Sequence, residues 1–182
     1  MHEFWVTEDC AGVGTCASEV RKVASLARRK AVVSIHATEP EMWCRKLLQK
    51  DGARVVDADL RKRSPVLMKH LRPGDTDLYA IGFLCQSYSA AGGLLKGRDI
   101  RVRGLMPQVC SFIKDKLPKL FLLEEVVGFA KSKQCRQVHK ALHAAGYKTK
   151  SFTLNSEEWV PQSRLRFYLV GPVHYTCNPT CH

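Results

Sequence analysis

Cys85 stands at the end of an apolar run and is followed by small and polar residues, from Gln86 to Gly92. Most cysteines are buried structural thiols. At the carboxyl end of a strand, however, a cysteine becomes a nucleophile when nearby positive charge stabilises its thiolate. Four basic residues follow this loop: Lys96, Arg98, Arg101 and Arg103. The segment therefore predicts a reactive cysteine beside a basic stretch.

Two adjacent carboxyl groups, Glu124 and Glu125, close a second apolar run at residues 119–123. Burying a carboxylate is unfavourable unless it is paired or hydrogen-bonded. A carboxyl group with a raised pKa can act as a proton donor or hydrogen-bond partner to a substrate. The alternative is an acid pair at the start of a helix. Both interpretations remain open on these residues alone.

A Gly-x-Gly turn, with Gly12 and Gly14, follows the first predicted strand, and Glu39 follows the second. Such a turn lets a cofactor approach the backbone closely, and a carboxylate after the next strand can accept hydrogen bonds from ribose hydroxyls. Glycine turns between strand and helix are also common for structural reasons. The pattern therefore allows nucleotide-type binding without requiring it.

Alternating strands and helices are expected to position these residues. Helical spacing of apolar residues predicts helices near residues 15–20, 42–49, 109–117 and 135–145, the last capped by Gly146. This alternation predicts an α/β sheet that is mostly parallel, with ligands at the carboxyl ends of its strands. Seven strands are predicted, near residues 6–11, 31–37, 54–57, 77–82, 119–123, 148–154 and 166–170.

Composition is that of one ordinary globular domain, with 182 residues, 45% hydrophobic and 25% charged. No apolar run approaches the roughly 20 residues that span a bilayer, and the N-terminus lacks the pattern of a secretion signal. The eight cysteines are scattered without a CxxC pair, which favours reduced thiols and an intracellular location. A cluster at the C-terminus has too few zinc ligands, and no metal is predicted: Cys177, Cys181 and His182.

The formal net charge of +12 favours a polyanionic partner, because basic side chains contact phosphates and release counterions. Part of this charge lies in clusters at residues 21–22, 28–30 and 61–63. For the first two clusters, a solvated helix face explains the pattern equally well. The basic segment after Cys85 is different because it adjoins the predicted nucleophile.

The order of these motifs resembles that of the C5-cytosine methyltransferase family over residues 6–171. The most specific segments are Gly-Phe-Leu-Cys-Gln-Ser-Tyr-Ser-Ala-Ala-Gly at 82–92 and Val-Pro-Gln-Ser-Arg-Leu-Arg at 160–166. Leu-Glu-Glu-Val at 123–126 and the glycine turn stand between and before them in family order. The resemblance implies a seven-stranded, mostly parallel Rossmann-like methyltransferase sheet with helices on both faces. The catalytic domain would span 1–172, with a tail at 173–182.

The resemblance also implies a cofactor, S-adenosylmethionine, and the residues that hold it. Gly12 and Gly14 would line its methionine part, Glu39 would bind the ribose, and Asp59 would face the adenine. Among the catalytic residues, Cys85 would attack C6 of cytosine, and Glu124 would hydrogen-bond N3. The base and the loop would be held by two arginines of the last motif: Arg164 and Arg166.

Several positions depart from the family pattern. Leu84 replaces the proline before the nucleophile, which frees φ and adds a backbone N–H there. Glu125 replaces an asparagine that braces the cysteine loop, and its negative charge is expected to raise the pKa of the nucleophile. The strand-end aspartate aligns with Glu8 or, one place later, with Asp9, and Thr15 replaces a glycine. A target-recognition region and a late cofactor motif, which follow in the family, are not found.

Methylation of cytosine C5 in DNA is therefore the predicted function, with the target base flipped out of the duplex. Either the chain is shortened from a longer enzyme or a partner chain supplies target recognition, and a nuclear or nucleoid location would follow from a DNA substrate. One alternative is a cofactor- or DNA-binding module that has lost turnover, favoured by Leu84 and Glu125. Another is RNA as the substrate.

Overall fold

The computed structural model describes residues 3–26, 32–82 and 104–173. Within these ranges, no helix is long and apolar enough to cross a membrane. The strands are β1 Phe4–Asp9, β2 Val32–Thr38, β3 Val56–Asp57, β4 Leu78–Gly82, β5 Leu120–Val126, β6 Lys150–Asn155 and β7 Leu165–Pro172. The helices are α1 Thr15–Leu26, α2 Met42–Lys50, α3 Pro65–His70, α4 Leu105–Lys116 and α5 Lys133–Ala144.

One sheet contains all seven strands, in the order β3-β2-β1-β4-β5-β7-β6. Neighbours among β3, β2, β1, β4 and β5 pair in parallel, whereas β7 pairs antiparallel with both β5 and β6. The predicted seven-stranded, mostly parallel α/β sheet is therefore confirmed. The strand order reverses at β1, where β2 lies on one side and β4 on the other, and ligands of open α/β sheets bind at such a point.

The larger core lies on the face of the sheet that is covered by α4 and α5. Helical spacing places Val109, Phe112 and Ile113 on one side of α4, and Val138 and Leu142 on one side of α5, all at most 2% exposed. They pack against alternate residues of the central strands, namely Tyr79, Ile81, Phe121, Leu123, Phe167 and Leu169.

The opposite face carries α1 and a second, smaller cluster of Val6, Ala17 and Leu78. Val6 and Leu78 are neighbours in the β1–β4 pairing, and both point away from the larger core because side chains alternate along a strand. Partly buried side chains, including Val20 and Leu122, extend this cluster. Helices therefore lie on both faces, as predicted.

Strand β5 is longer than predicted, because it continues through Glu124 and Glu125 to Val126. The two glutamates are thus neither a helix start nor a loop following the strand. Pairing with β7 extends β5: Glu124 lies opposite Tyr168 and Glu125 opposite Phe167. As neighbours on one strand, the two carboxyl groups point to opposite faces of the sheet.

Candidate active site

A cleft of about 790 Å³ lies between α1 and the sheet face that carries Leu78 and Leu122. It extends to the carboxyl ends of β1, β4 and β5, and is bordered by Tyr168 of β7 and by Arg164 just before that strand. The floor is apolar, whereas the upper end is lined by the glycine turn and by Glu124. The volume is that of a typical small-molecule site.

The glycine turn and Glu39, both predicted to bind cofactor, contact each other. The Gly12 N–H donates a hydrogen bond to Glu39 Oε2 at 2.8 Å, and the Glu41 N–H donates to Oε1 at 3.0 Å. Glu39 is 7% exposed, so these two bonds fix the carboxylate under the turn. A carboxylate has about four lone-pair sites, which leaves acceptor capacity for a ligand hydroxyl.

The two glycines of the turn have different surroundings. Gly12, at φ +56°, lines the cleft, and a Cβ atom placed on it would meet nothing within 4 Å. Gly14, at φ +79°, faces α2, where a Cβ would lie 2.8 Å from Leu48 Cδ2. Gly12 therefore leaves space for a ligand, whereas Gly14 allows α2 to pack closely. Gly14 is not among the residues that line the cleft.

The side chain of Glu8, on β1, is buried beside the first turn of α1. Its Oε1 accepts a hydrogen bond from the Ala17 N–H at 3.2 Å, and a carboxylate there is favoured by the free N–H groups of the helix start. Burial nevertheless raises the pKa of Glu8. Of the two carboxyl groups aligned with the family's strand-end aspartate, Glu8 is the one that lines the helix start.

Asp9 points to the other face, into a buried ion pair. Its Oδ2 atom accepts hydrogen bonds from the Arg63 guanidinium and the Tyr79 hydroxyl, and its Oδ1 accepts one from Thr38 Oγ1 at 2.9 Å. The side chains of Asp9 and Arg63 are 0% and 7% exposed. The Arg63 guanidinium also lies 4.7 Å from the ring centre of Phe112. This network links the end of β1 to β2, β4 and α4.

Asp59, predicted to face adenine, lies outside the residues that line the cleft. It caps the short 3₁₀ turn at Leu60–Lys62 by accepting the Arg61 N–H at 2.9 Å. Its two oxygens also pair with the Arg61 side chain, with 2.7 Å between Arg61 Nη2 and Asp59 Oδ2. The Arg61 hydrogen bond lowers the pKa of Asp59.

Glu124, Arg164 and Arg166, all predicted as catalytic residues, come together at the upper end of the cleft. Arg166 Nε lies 3.0 Å from Glu124 Oε1, and Arg164 Nη2 lies 3.9 Å from the same atom. The Glu124 side chain is 30% exposed and that of Arg164 is 54% exposed. Antiparallel pairing of β5 with β7 creates this group. The carboxylate therefore faces the cleft with two guanidinium groups beside it.

Glu125 is buried on the opposite face, at 1% exposed. Its Oε2 accepts the N–H of Val126 at 2.8 Å, whereas Oε1 has no hydrogen-bond partner among the described residues. Burial, and then the negative charge of Glu124, raises the pKa of Glu125 to about 7. The two neighbouring glutamates thus have very different environments.

Two cysteines that the sequence did not single out, Cys10 and Cys16, line the cleft. Burial raises the pKa of each thiol to about 12, and nearby carboxylates add to the effect. Both are therefore protonated at neutral pH and are poor nucleophiles. Cys85, the predicted nucleophile, lies outside the described residues, as does the C-terminal cluster of Cys177, Cys181 and His182.

The buried role of Arg63 was also missed, because it belongs to a run of three basic residues that looks solvent-exposed in the sequence. One available signal was Asp9, a charged residue at the end of β1, whose last four residues are buried. A buried carboxylate needs a partner, but the sequence does not say which of many basic residues provides it.

Comparison with known proteins gives one family and several structures. Residues 7–178 match the sequence profile described as C-5 cytosine-specific DNA methylase. The Type II methyltransferase M.NgoBV of Neisseria gonorrhoeae is 35% identical over 108 residues, which are 53% of this chain and 25% of that protein. The Type II methyltransferase M.NlaX of Neisseria lactamica is 36% identical over 102 residues, 53% and 32% of the two chains.

Solved structures share the fold. The Entamoeba histolytica methyltransferase EhMeth has a TM-score of 0.71 at 18% identity, covering 98% of this chain and 55% of that chain. The chain therefore spans about half the length of this structure, and its matching part spans a quarter to a third of the two curated relatives.

Proposed function

Because the chain belongs to the C-5 cytosine-specific DNA methylase family, we propose that it methylates C5 of cytosine in DNA, with Cys85 as nucleophile. The observation that carries the proposal is the group at the upper end of the cleft. There, Glu124 faces the open volume with Arg166 3.0 Å and Arg164 3.9 Å from its Oε1 atom. A carboxyl group held by two cations beside a cleft suits recognition of a polar heterocycle.

The proposed chemistry begins with the Cys85 thiolate, whose sulfur forms a bond to C6 of the cytosine. Electron density moves onto C5 and N3, and C5 would then take the methyl group that S-adenosylmethionine supplies, as the bond between that methyl and the sulfonium sulfur breaks and its electron pair stays on the departing thioether. A base removes the C5 proton, the electron pair re-forms the C5–C6 double bond, and the sulfur leaves as thiolate. Neither the sequence nor the described residues identify that base.

Glu124 is proposed to hold a proton between its carboxyl group and N3 of the base, which stabilises the charge that develops there during addition. Arg166 would act as a positioning residue, because its bond to Oε1 fixes the carboxyl orientation. Arg164 is half-exposed and farther from Glu124, so it is available to contact the base or its phosphate. Preorganised charges of this kind are often a large part of catalysis.

S-adenosylmethionine is the proposed cofactor and would supply an electrophilic methyl group. The residues present fit it: open space above Gly12 admits a ligand against the backbone, and Glu39 retains acceptor capacity beneath the turn. Gly12 and Glu39 are proposed to hold the cofactor, with Asp59 toward its adenine. Gly14 would contribute indirectly, through the packing of α2 under the turn.

Target recognition is proposed to come from a partner chain, with this chain binding nucleic acid mainly through its charge of +12. Binding should then weaken steeply with salt and show little sequence preference. An affinity that is unchanged between low and physiological ionic strength would contradict this proposal.

Trapping with 5-fluorocytosine tests the mechanism, because fluorine at C5 cannot be removed as a proton and the adduct accumulates. DNA and RNA carrying this base, incubated with protein and S-adenosylmethionine, should yield an adduct at Cys85 by mass spectrometry. Cys85→Ser should abolish the adduct, whereas Cys10→Ser and Cys16→Ser should retain it. Glu124→Gln should slow its formation about a hundredfold.

An adduct on Cys10 or Cys16 would refute the assignment of the nucleophile, and an adduct with RNA alone would change the substrate. The second candidate function, a binding module without turnover, is favoured by Glu125, because its buried carboxyl group stands where the family has an amide. If neither the wild type nor the Leu84→Pro/Glu125→Asn double variant forms an adduct, that second function is the correct one.

A further inference from the structure

The hairpin between β6 and β7 presents a tryptophan to solvent. Trp159 is 65% exposed, and the next residue, Val160, is 47% exposed. Tryptophan is usually largely buried because its ring removes a large apolar area from water. A tryptophan exposed on the surface is a candidate contact residue, because tryptophan is enriched where proteins bind partners.

Backbone hydrogen bonds hold this tip in one conformation. The N–H groups of Trp159 and Val160 both donate to the Ser156 carbonyl at 2.9 Å, and the Gln162 N–H donates to the Val160 carbonyl at 2.7 Å. Asn155 Oδ1 accepts the Arg164 N–H at 2.9 Å and so closes the base of the loop. The exposure of Trp159 is thus built into the hairpin.

The same hairpin contributes Arg164 to the cleft. Arg164 borders the cleft and lies beside Glu124, while Asn155 ties its backbone to the 3₁₀ turn, Ser156–Glu158, that precedes Trp159. One hydrogen-bonded loop therefore carries a guanidinium at the candidate active site and an indole ring in solvent. Trp159 stands five residues before Arg164 on this loop, so its exposed ring is a candidate contact for a ligand that reaches Arg164.

The local charges indicate what kind of contact Trp159 makes. Glu157 and Glu158 precede it, and both are exposed, although Glu157 Oε2 accepts a hydrogen bond from Asn155 Nδ2 at 3.0 Å. Two carboxylates are unfavourable next to a phosphate. They do not oppose contact between an aromatic ring and a nucleobase, whose flat faces are uncharged. The chain's charge of +12 supplies the general attraction for a polyanion.

We propose that Trp159 is a stacking platform for a nucleobase of the bound nucleic acid, next to the base that enters the cleft. This inference rests on the proposed function, because flipping a base out of the stack exposes the faces of its neighbours. Stacking on an aromatic side chain tolerates any base and needs no sequence readout. Val160 extends the apolar surface under the base.

The test compares Trp159→Ala with a matched control, Trp43→Ala, because Trp43 on α2 is similarly exposed, at 59%. Single-stranded DNA and RNA oligonucleotides of one sequence, each labelled with fluorescein, are titrated by anisotropy over a range of salt concentrations. Trp159→Ala should weaken binding about tenfold, with Trp159→Phe close to wild type and Trp43→Ala unchanged.

Salt dependence separates stacking from charge. Trp159→Ala should leave the slope of log affinity against log salt unchanged, whereas Arg164→Gln should reduce that slope by about one if it contacts a phosphate. In the Trp5→Phe/Trp43→Phe variant, which retains only Trp159 of the three tryptophans, fluorescence should be quenched when oligonucleotide binds.

Equal affinities of Trp159→Ala and Trp43→Ala, without quenching of Trp159, would overturn the stacking proposal and leave the exposed ring to a protein partner. If the wild type itself binds neither oligonucleotide, the proposed function fails as well. A loss confined to RNA or to DNA would assign the platform to that nucleic acid and support it.

Discussion

The two ends of the candidate site differ in how their carboxylates are held. At the ends of β1 and β2, Asp9 and Glu39 are buried and bonded to groups of the fold itself. At the end of β5, Glu124 is 30% exposed and faces the cleft, paired with Arg166 of β7 and with Arg164 just before that strand. The first end is a closed structural network, whereas the second presents charge to a ligand. Changes at Asp9 should alter mainly stability, changes at Glu39 both stability and cofactor binding, and changes at Glu124 binding and chemistry.

The largest expected effect is at the buried ion pair. Arg63→Met should lower the free energy of unfolding by about 3–5 kcal/mol, because it leaves the Asp9 carboxylate buried without its cation. Urea unfolding at neutral pH measures this. Arg61→Met is the matched control, since its partner Asp59 is 26% exposed and the pair is worth less than about 1 kcal/mol. Similar losses of unfolding free energy in the two variants would contradict the contrast between the buried and the exposed ion pair.

Glu125 tests whether burying a carboxyl group on the sheet face opposite the cleft is unfavourable for folding. Its pKa is raised to about 7, so the folded state binds a proton that the unfolded state has lost between pH 4.5 and 7. The contribution of this group to stability therefore falls as pH rises through that window. Glu125→Gln should match the wild type near pH 4.5 and exceed its unfolding free energy by about 3 kcal/mol at pH 8. A difference that does not vary with pH would show that Glu125 is not buried as described.

The glycine turn contains, within three residues, one glycine that lines the cleft and one that packs against the rest of the fold. Gly14→Ala should lower the unfolding free energy by about 2 kcal/mol, because a Cβ clashes with Leu48 and φ is positive. Gly12→Ala has the positive φ without the clash and should lose about 1 kcal/mol. For S-adenosylmethionine affinity, measured by calorimetry, the order should reverse: Gly12→Ala weakens binding more. If Gly14→Ala weakens binding more, the cleft-lining role of Gly12 is wrong.

Much of the fold could be predicted from local patterns. Apolar runs located all seven strands, and Gly146 has the positive φ expected of a helix cap. Helix α3 was missed, because a six-residue helix has too few turns to show periodicity. The end of β5 was also misplaced, since its extension depends on pairing with β7 rather than on any local signal.

The candidate site also has features that could be predicted from the sequence and features that could not. The structure brings Glu39 together with Gly12, and Glu124 together with Arg164 and Arg166, while the roles given to these residues stay predictions. The separate roles of Gly12 and Gly14 could not be foreseen, because two glycines at this spacing look alike until the packing of Leu48 is known. The partner of Asp9 is likewise 54 residues away in the chain. Long-range pairs of this kind leave no local trace in the sequence.

Asp59 lies outside the cleft lining and pairs with Arg61 of its own turn, and the smallest effect is expected there. It is partly exposed, its pKa is lowered by the Arg61 hydrogen bond, and it lies outside the cleft lining. Asp59→Asn should lower the unfolding free energy by less than about 1 kcal/mol at pH 7. Because a lowered pKa stabilises only the ionised form, this difference should disappear as pH falls through the pKa of Asp59.

Cofactor binding then decides the role of Asp59. If its carboxylate accepts a hydrogen bond from adenine, Asp59→Asn should weaken S-adenosylmethionine binding about tenfold in calorimetry. Arg61→Met should not weaken it, because removing the guanidinium frees both carboxylate oxygens for the ligand. Weaker binding in Arg61→Met with no change in Asp59→Asn would mean that the arginine contacts the cofactor. Unchanged binding in both variants would give this turn a purely structural role. The contact with adenine would then have to come from other residues.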